Sequence, residues 1–129
     1  MNIAMATKLT FSRLVPGPGG VSHFETIEIP ATLQDFAPPA QPFSVSAFMP
    51  ASQCGFLHLP SGWFGEMHPS PIRMWIFVLK GEMLFQAGNG DERRIVAGDA
   101  LLLEDVVGSG HVSRVVGADD VILSVVRLP

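Results

Sequence analysis

This chain of 129 residues has little of what most functional classes require. Cys54 is its only cysteine, so no internal disulfide can form, and a reduced, cytoplasmic setting is expected. Surrounded by apolar residues, Cys54 reads as a small core filler rather than a nucleophile. Basic side chains are also scarce. Eight Lys and Arg stand against twelve Asp and Glu, for a net charge of −4, and Arg93-Arg94 is the only basic pair. A phosphate backbone demands a denser positive footprint, so no nucleic-acid partner is expected. No apolar run approaches the roughly 18 residues of a membrane helix, and no membrane partner is expected. Residues 1–10 carry Lys8 but no apolar leader, and Met5 is a second candidate start. No stretch of a dozen residues shows helical periodicity, and Leu33 to Ala37 are cut short by Pro38-Pro39.

Abundance lies elsewhere. Apolar residues make up 47%, enough for one buried core at this length, so a single domain over 1–129 is expected. Thirteen Gly and eleven Pro punctuate short runs rich in Val, Ile, Leu, Phe and Thr. That spacing predicts an all-β sandwich or barrel. Strands are expected over 8–15, 21–29, 43–49, 54–59, 66–70, 72–79, 82–86, 93–96, 100–103, 111–116 and 121–128. Gly88-Asn89-Gly90 is the strongest hairpin signal, because Asn and Gly tolerate positive φ. Residues 1–42 read as N-terminal strands followed by a proline-rich loop, and 43–129 as the barrel core.

Chemistry concentrates in two segments. In the first, Gly62, His68 and Gly81 keep a distinctive spacing, with Ser70 and Met74 between the last two. In the second, Gly98 is followed by Glu104, Asp105, Gly108, Gly110 and His111. The first resembles the opening motif of the cupins, in which a second His stands where Ser70 is and a Glu where Met74 is. The second resembles the closing cupin motif, with Glu104 in place of Pro, a longer loop, and Val115 in place of Asn. The chain thus looks like a small single-domain bacterial cupin of the conserved-barrel type with degenerate metal-binding motifs. The resemblance implies a double-stranded β-helix, a jelly-roll barrel. It also implies that His68 and His111 survive from a four-ligand metal site.

Alternation places Ser70 on the face of His68. It likewise places Met74, Ile76 and Val78 inside the barrel and Trp75, Phe77 and Leu79 outside. His68 and His111 are the candidate catalytic residues and the candidates for an incomplete metal site. Ser70, Met74, Trp63, His58, Arg73 and Arg114 are the candidate pocket residues. His58 is a possible third nitrogen, Glu66 and Glu104 possible oxygens, and Arg73 and Arg114 a possible carboxylate clamp. A stable site wants three or more protein ligands and a thioether suits only soft ions, so the substitutions favour no cofactor over a weakly held Zn, Ni, Fe or Mn. Trp63, Phe64, Trp75, Phe77, Phe48 and Phe56 read as one apolar group forming core and dimer interface, with Trp63 and Phe64 at the barrel mouth. A homodimer is expected because uncovered sheet edges invite pairing.

Three functions follow. One is a barrel that binds a small organic molecule. Another is an enzyme, metal-dependent or using histidine acid–base chemistry, of dioxygenase or isomerase type and acting on a small carbonyl or carboxylate compound. The last is a protein-interaction module.

Overall fold

The structure, a computed structural model, describes residues 7–129, so Met5 lies outside the described residues. Among the described residues there are eleven strands, one short turn of 3-10 helix (Pro18–Gly20) and no α-helix. The strands are β1 (Thr7–Val15), β2 (His23–Gln34), β3 (Phe43–Ser46), β4 (Gln53–Leu59), β5 (Phe64–His68) and β6 (Met74–Lys80). They continue with β7 (Glu82–Ala87), β8 (Glu92–Val96), β9 (Ala100–Leu103), β10 (His111–Val115) and β11 (Val121–Arg127).

The pairing is nested. β7 pairs with β8, β6 with β9, β5 with β10 and β4 with β11, all antiparallel. One long ribbon therefore folds from its tip at Gly88-Asn89-Gly90, the predicted hairpin. Coiling the ribbon sends alternate pairs to opposite walls. The result is one sheet in the order β5-β10-β7-β8 and another in the order β3-β2-β1-β9-β6-β11-β4. This is the double-stranded β-helix, the jelly-roll barrel of the cupin type. β1 joins the larger sheet by running parallel to β9.

Alternation decides what lies inside. Ile76, Val78, Met83, Phe85, Leu101, Leu103 and Leu123 fill the space between the sheets. Each fully buried side chain of this size contributes roughly 2 kcal/mol. On β6 and β9 the opposite parity faces outward. There Trp75, Ala100 and Leu102 pack with Leu128, Phe11, Ile27 and Phe77. β9 is thus buried on both faces, which explains its unbroken apolar run. The β6–β7 turn requires glycine. Gly81 has φ of 82°, and a Cβ there would lie 2.7 Å from the Asp120 carbonyl oxygen.

Several expectations are corrected. β2 continues through Pro30 to Gln34, where a loop was expected. Pro30 pairs with Lys8 just beyond the last β3 partner of β2, the locally outermost position of the sheet, where a missing donor is tolerated. β5 ends at His68 and β6 begins only at Met74, so Ser70 sits in a turn, not on a strand. Cys54 is exposed on the edge strand β4, not a core filler. The six aromatics do not form one group. Trp63 packs against the inner core, while Trp75 and Phe77 stack on the outer face at 5.8 Å. Phe48 and Phe56 are 77% and 74% exposed, and Phe64 is exposed as well.

Candidate functional site

A cavity of about 400 Å³ opens between the two sheets. Its apolar wall includes Trp63, Met74, Ile76, Met83, Phe85 and Leu123, and its polar end includes His68, His111, Ser70 and Ser113. His58 also lines it, at the rim. No Asp, Glu, Lys or Arg lines it.

The two histidines meet because β5 and β10 are neighbours in register. His68 closes β5, His111 opens β10, and the two are direct cross-strand partners. Their ring centroids are 5.3 Å apart. The approach depends on glycine. Gly110 has φ of 81°, and a Cβ on it would fall 2.0 Å from the carbonyl carbon and oxygen of His68. A buried hydroxyl steadies the same loop. Ser22 Oγ donates to the Gly110 carbonyl at 2.7 Å and accepts from the Gly88 N–H at 2.7 Å.

Each ring is held by its Nδ1. His68 Nδ1 donates to the Glu66 carbonyl at 2.7 Å, and His111 Nδ1 donates to Asp105 Oδ2 at 2.6 Å. His111 and Asp105 are both buried, and Asp105 Oδ1 has no hydrogen-bond partner among the described residues. Neither Nε2 has a protein partner among the described residues; His111 is buried, whereas His68 is exposed at the open end of the cavity. A carboxylate behind an imidazole fixes its tautomer and orientation, as in histidine general bases and in metal-ligating histidines alike.

The remaining candidates go elsewhere. Arg73 pairs with Glu104 at 2.6 Å, and Arg13 bridges Glu104 to Glu25 on the outside of the barrel. Arg13 and then His23 hold the Glu25 carboxyl below its ordinary value. Arg114 is exposed. It lies between the inward Ser113 and Val115 of β10 and so points away from the cavity. Neither Arg73 nor Arg114, expected as a carboxylate clamp, lines the cavity, and neither do Glu66 and Glu104. Ser70 is buried and lines the cavity, but its hydroxyl donates to the Ile72 carbonyl at 2.7 Å and its N–H to the Asp105 carbonyl at 3.0 Å. His58 Nε2 donates to Asp120 Oδ2 at 2.9 Å, and both side chains are exposed. The Ser61 N–H and then His58 hold Asp120 below its ordinary value of 3.8.

Asp105 is the residue that sequence reasoning passed over in favour of Glu104. No strand period reaches it, because β9 ends at Leu103 and Asp105 lies in the loop to β10.

The donor set does not fit a resident divalent metal. It offers the imidazoles of His68 and His111, a third in His58 at the rim whose Nε2 is spent on Asp120, a Ser70 hydroxyl already committed to a carbonyl, and a thioether in Met74. Among the described residues no group of three or more His, Cys, Asp or Glu is placed to hold a metal ion.

No family model and no curated protein matches the chain. Among solved structures it is similar to the Cnp3 cupin domain of Schizosaccharomyces pombe, at 13% identity over 95% of this chain and 84% of that one, TM-score 0.47. It is similar to a Salmonella typhimurium protein named for ethanolamine utilization (protein Q), at 14% identity over 99% and 98%, TM-score 0.43. It is also similar to protein NMB1881 of Neisseria meningitidis, at 17% identity over 59% and 72%, TM-score 0.45. The jelly-roll assignment rests on the strand pairing described above, not on these likenesses. No helix among the described residues is long and apolar enough to cross a membrane.

Proposed function

We propose that this is a small cupin of the conserved-barrel type whose cavity binds a small, largely apolar organic molecule. The observation that carries the reading is the cavity itself. It has about 400 Å³ of space, apolar walls, and two imidazoles converging at one end. Aminoanthracene, a neutral dye that brightens on leaving water, tests it. Bright, saturable binding to the wild-type protein is expected, and none to Ile76→Trp, which fills the cavity from β6. Circular dichroism and urea unfolding establish that the variant is folded. Equal dye binding by both proteins overturns the reading.

A second reading, histidine acid–base catalysis, is favoured by one specific observation, the buried carboxylate behind His111. The Nε2 of that ring is the proton acceptor, and His68, directly across, is the second proton-handling group. Exchange of solvent deuterium into enolisable ketones, lost in His111→Gln, is the measurement that supports it. No exchange above a buffer control sinks it.

The outer face carries a third reading, self-association. Leu9, Phe48 and Met49 are exposed beside Trp75 and Phe77. A homodimer through this face predicts that Phe48→Glu halves the mass seen by light scattering. An unchanged mass refutes it.

A further inference from the structure

The polar end of the cavity has a hydrogen-bonding sign, and that sign selects the ligand. Nδ1 of His68 faces a backbone carbonyl, which can only accept, so Nδ1 carries the proton. Nδ1 of His111 faces the carboxylate of Asp105, which holds that proton in the same place. A neutral imidazole has one N–H. In both rings it is spent on the protein, and both Nε2 atoms are left as bare acceptors. Ser70 adds no donor, because its hydroxyl already donates to Ile72. Ser113, on the same face of β10 as His111, has a hydroxyl able to donate or accept.

Charge narrows the choice further. No Lys or Arg lines the cavity, so a carboxylate buried there would be unpaired, and no Asp or Glu lines it, so an ammonium would be unpaired as well. Asp120 stands beside His58 at the rim, a second reason for an anion to stay out. The head of the ligand is therefore neutral and must donate a hydrogen bond. A hydroxyl meets the requirement best, because it can donate to an imidazole and accept from Ser113. The body is apolar, and Trp63, Phe85, Met74 and Met83 offer rings and sulfur atoms to an aromatic one.

Resting on the cavity reading above, we infer that the ligand class is a neutral phenol or aryl alcohol, with its hydroxyl donated to Nε2 of His111 or of His68 across from it. Asp105 is the positioning residue that keeps His111 an acceptor. This differs from the small carbonyl or carboxylate compound expected as the substrate of an enzyme.

The test uses phenol, its methyl ether anisole, and benzoate, titrated into the wild-type protein at about pH 8. Amide NMR shifts read the affinity, and nitrogen NMR of the histidine rings reads the tautomers. Both rings are expected to be protonated at Nδ1. Phenol is expected to bind about tenfold more tightly than anisole, the size of one well-placed hydrogen bond, and benzoate more weakly than either. In Asp105→Asn the side-chain amide can donate to Nδ1 and move the ring proton to Nε2. The phenol-to-anisole ratio should then fall several-fold, together with the change in the His111 ring shifts. If anisole binds as well as phenol, or the wild-type His111 proton sits on Nε2, the inference is overturned while the cavity reading stands. If none of the three probes binds, the inference falls, and aminoanthracene binding decides the cavity reading separately.

Discussion

His111–Asp105 and His58–Asp120 are the same two side chains in two settings at one cavity. In the first pair the contact is 2.6 Å and the side chains are 4% and 0% exposed, and in the second it is 2.9 Å with 61% and 47% exposed. The buried pair has lost its water. Each partner depends on the other to satisfy its polar atoms, and Asp105 still carries one unpaired oxygen. The exposed pair exchanges one solvated state for another, so its geometry contributes little and salt screens it. One chemistry thus gives a fixed functional group in the wall and a soft, replaceable contact at the rim.

The comparison is broken most severely by Asp105→Ala. It leaves the His111 Nδ1–H buried without an acceptor, and a loss of roughly 3 kcal/mol in urea unfolding is expected. A loss no larger than that of an ordinary surface substitution would show that the pair does not behave as buried. Next in size is Gly110→Ala. An L-residue held at positive φ, with its Cβ driven into the His68 backbone, should cost roughly 2 kcal/mol and pull the two imidazoles apart. Weaker aminoanthracene binding by the folded variant would report the separation.

A finer test substitutes the two histidines in turn. His111→Gln should lower the preference for phenol over anisole several-fold, whereas His58→Ala should change phenol affinity by no more than about twofold, as for other surface sites. Equal effects would erase the distinction between wall and rim. The smallest effect belongs to Asp120→Asn and is legible in pH. The Asp120 carboxyl is held below 3.8 when folded, so its contribution is fully present above that value and is lost as pH falls through the lower folded value. Unfolding midpoints followed from about pH 6 downward should drop less steeply in the variant, and the difference should shrink in high salt.

Much of this was legible along the chain. Turn residues and short β-branched runs located the strands, and the two glycine–histidine spacings located the barrel wall. The parity of β6 separated the inward Met74, Ile76 and Val78 from the outward Trp75 and Phe77. Parity also held information that was not used. Counting from His111 places Arg114 outside. The Ser70 error has a different source. Alternation applies only while a strand lasts, and β5 ends at His68, one residue before Pro69.

By itself, then, the sequence determined the order of the strands, the face each side chain takes, and the presence of two histidines on the inner wall. These follow from a period of two and from glycine at turns, which are local properties of the backbone. Only the tertiary structure decided which carboxylate serves which imidazole, that Arg73 is spent on Glu104, and that Nε2 of His68 and of His111 is left without a protein partner among the described residues. Those outcomes depend on how the β9–β10 loop closes over β5. They are set by contacts between residues far apart in the chain, to which no local period points.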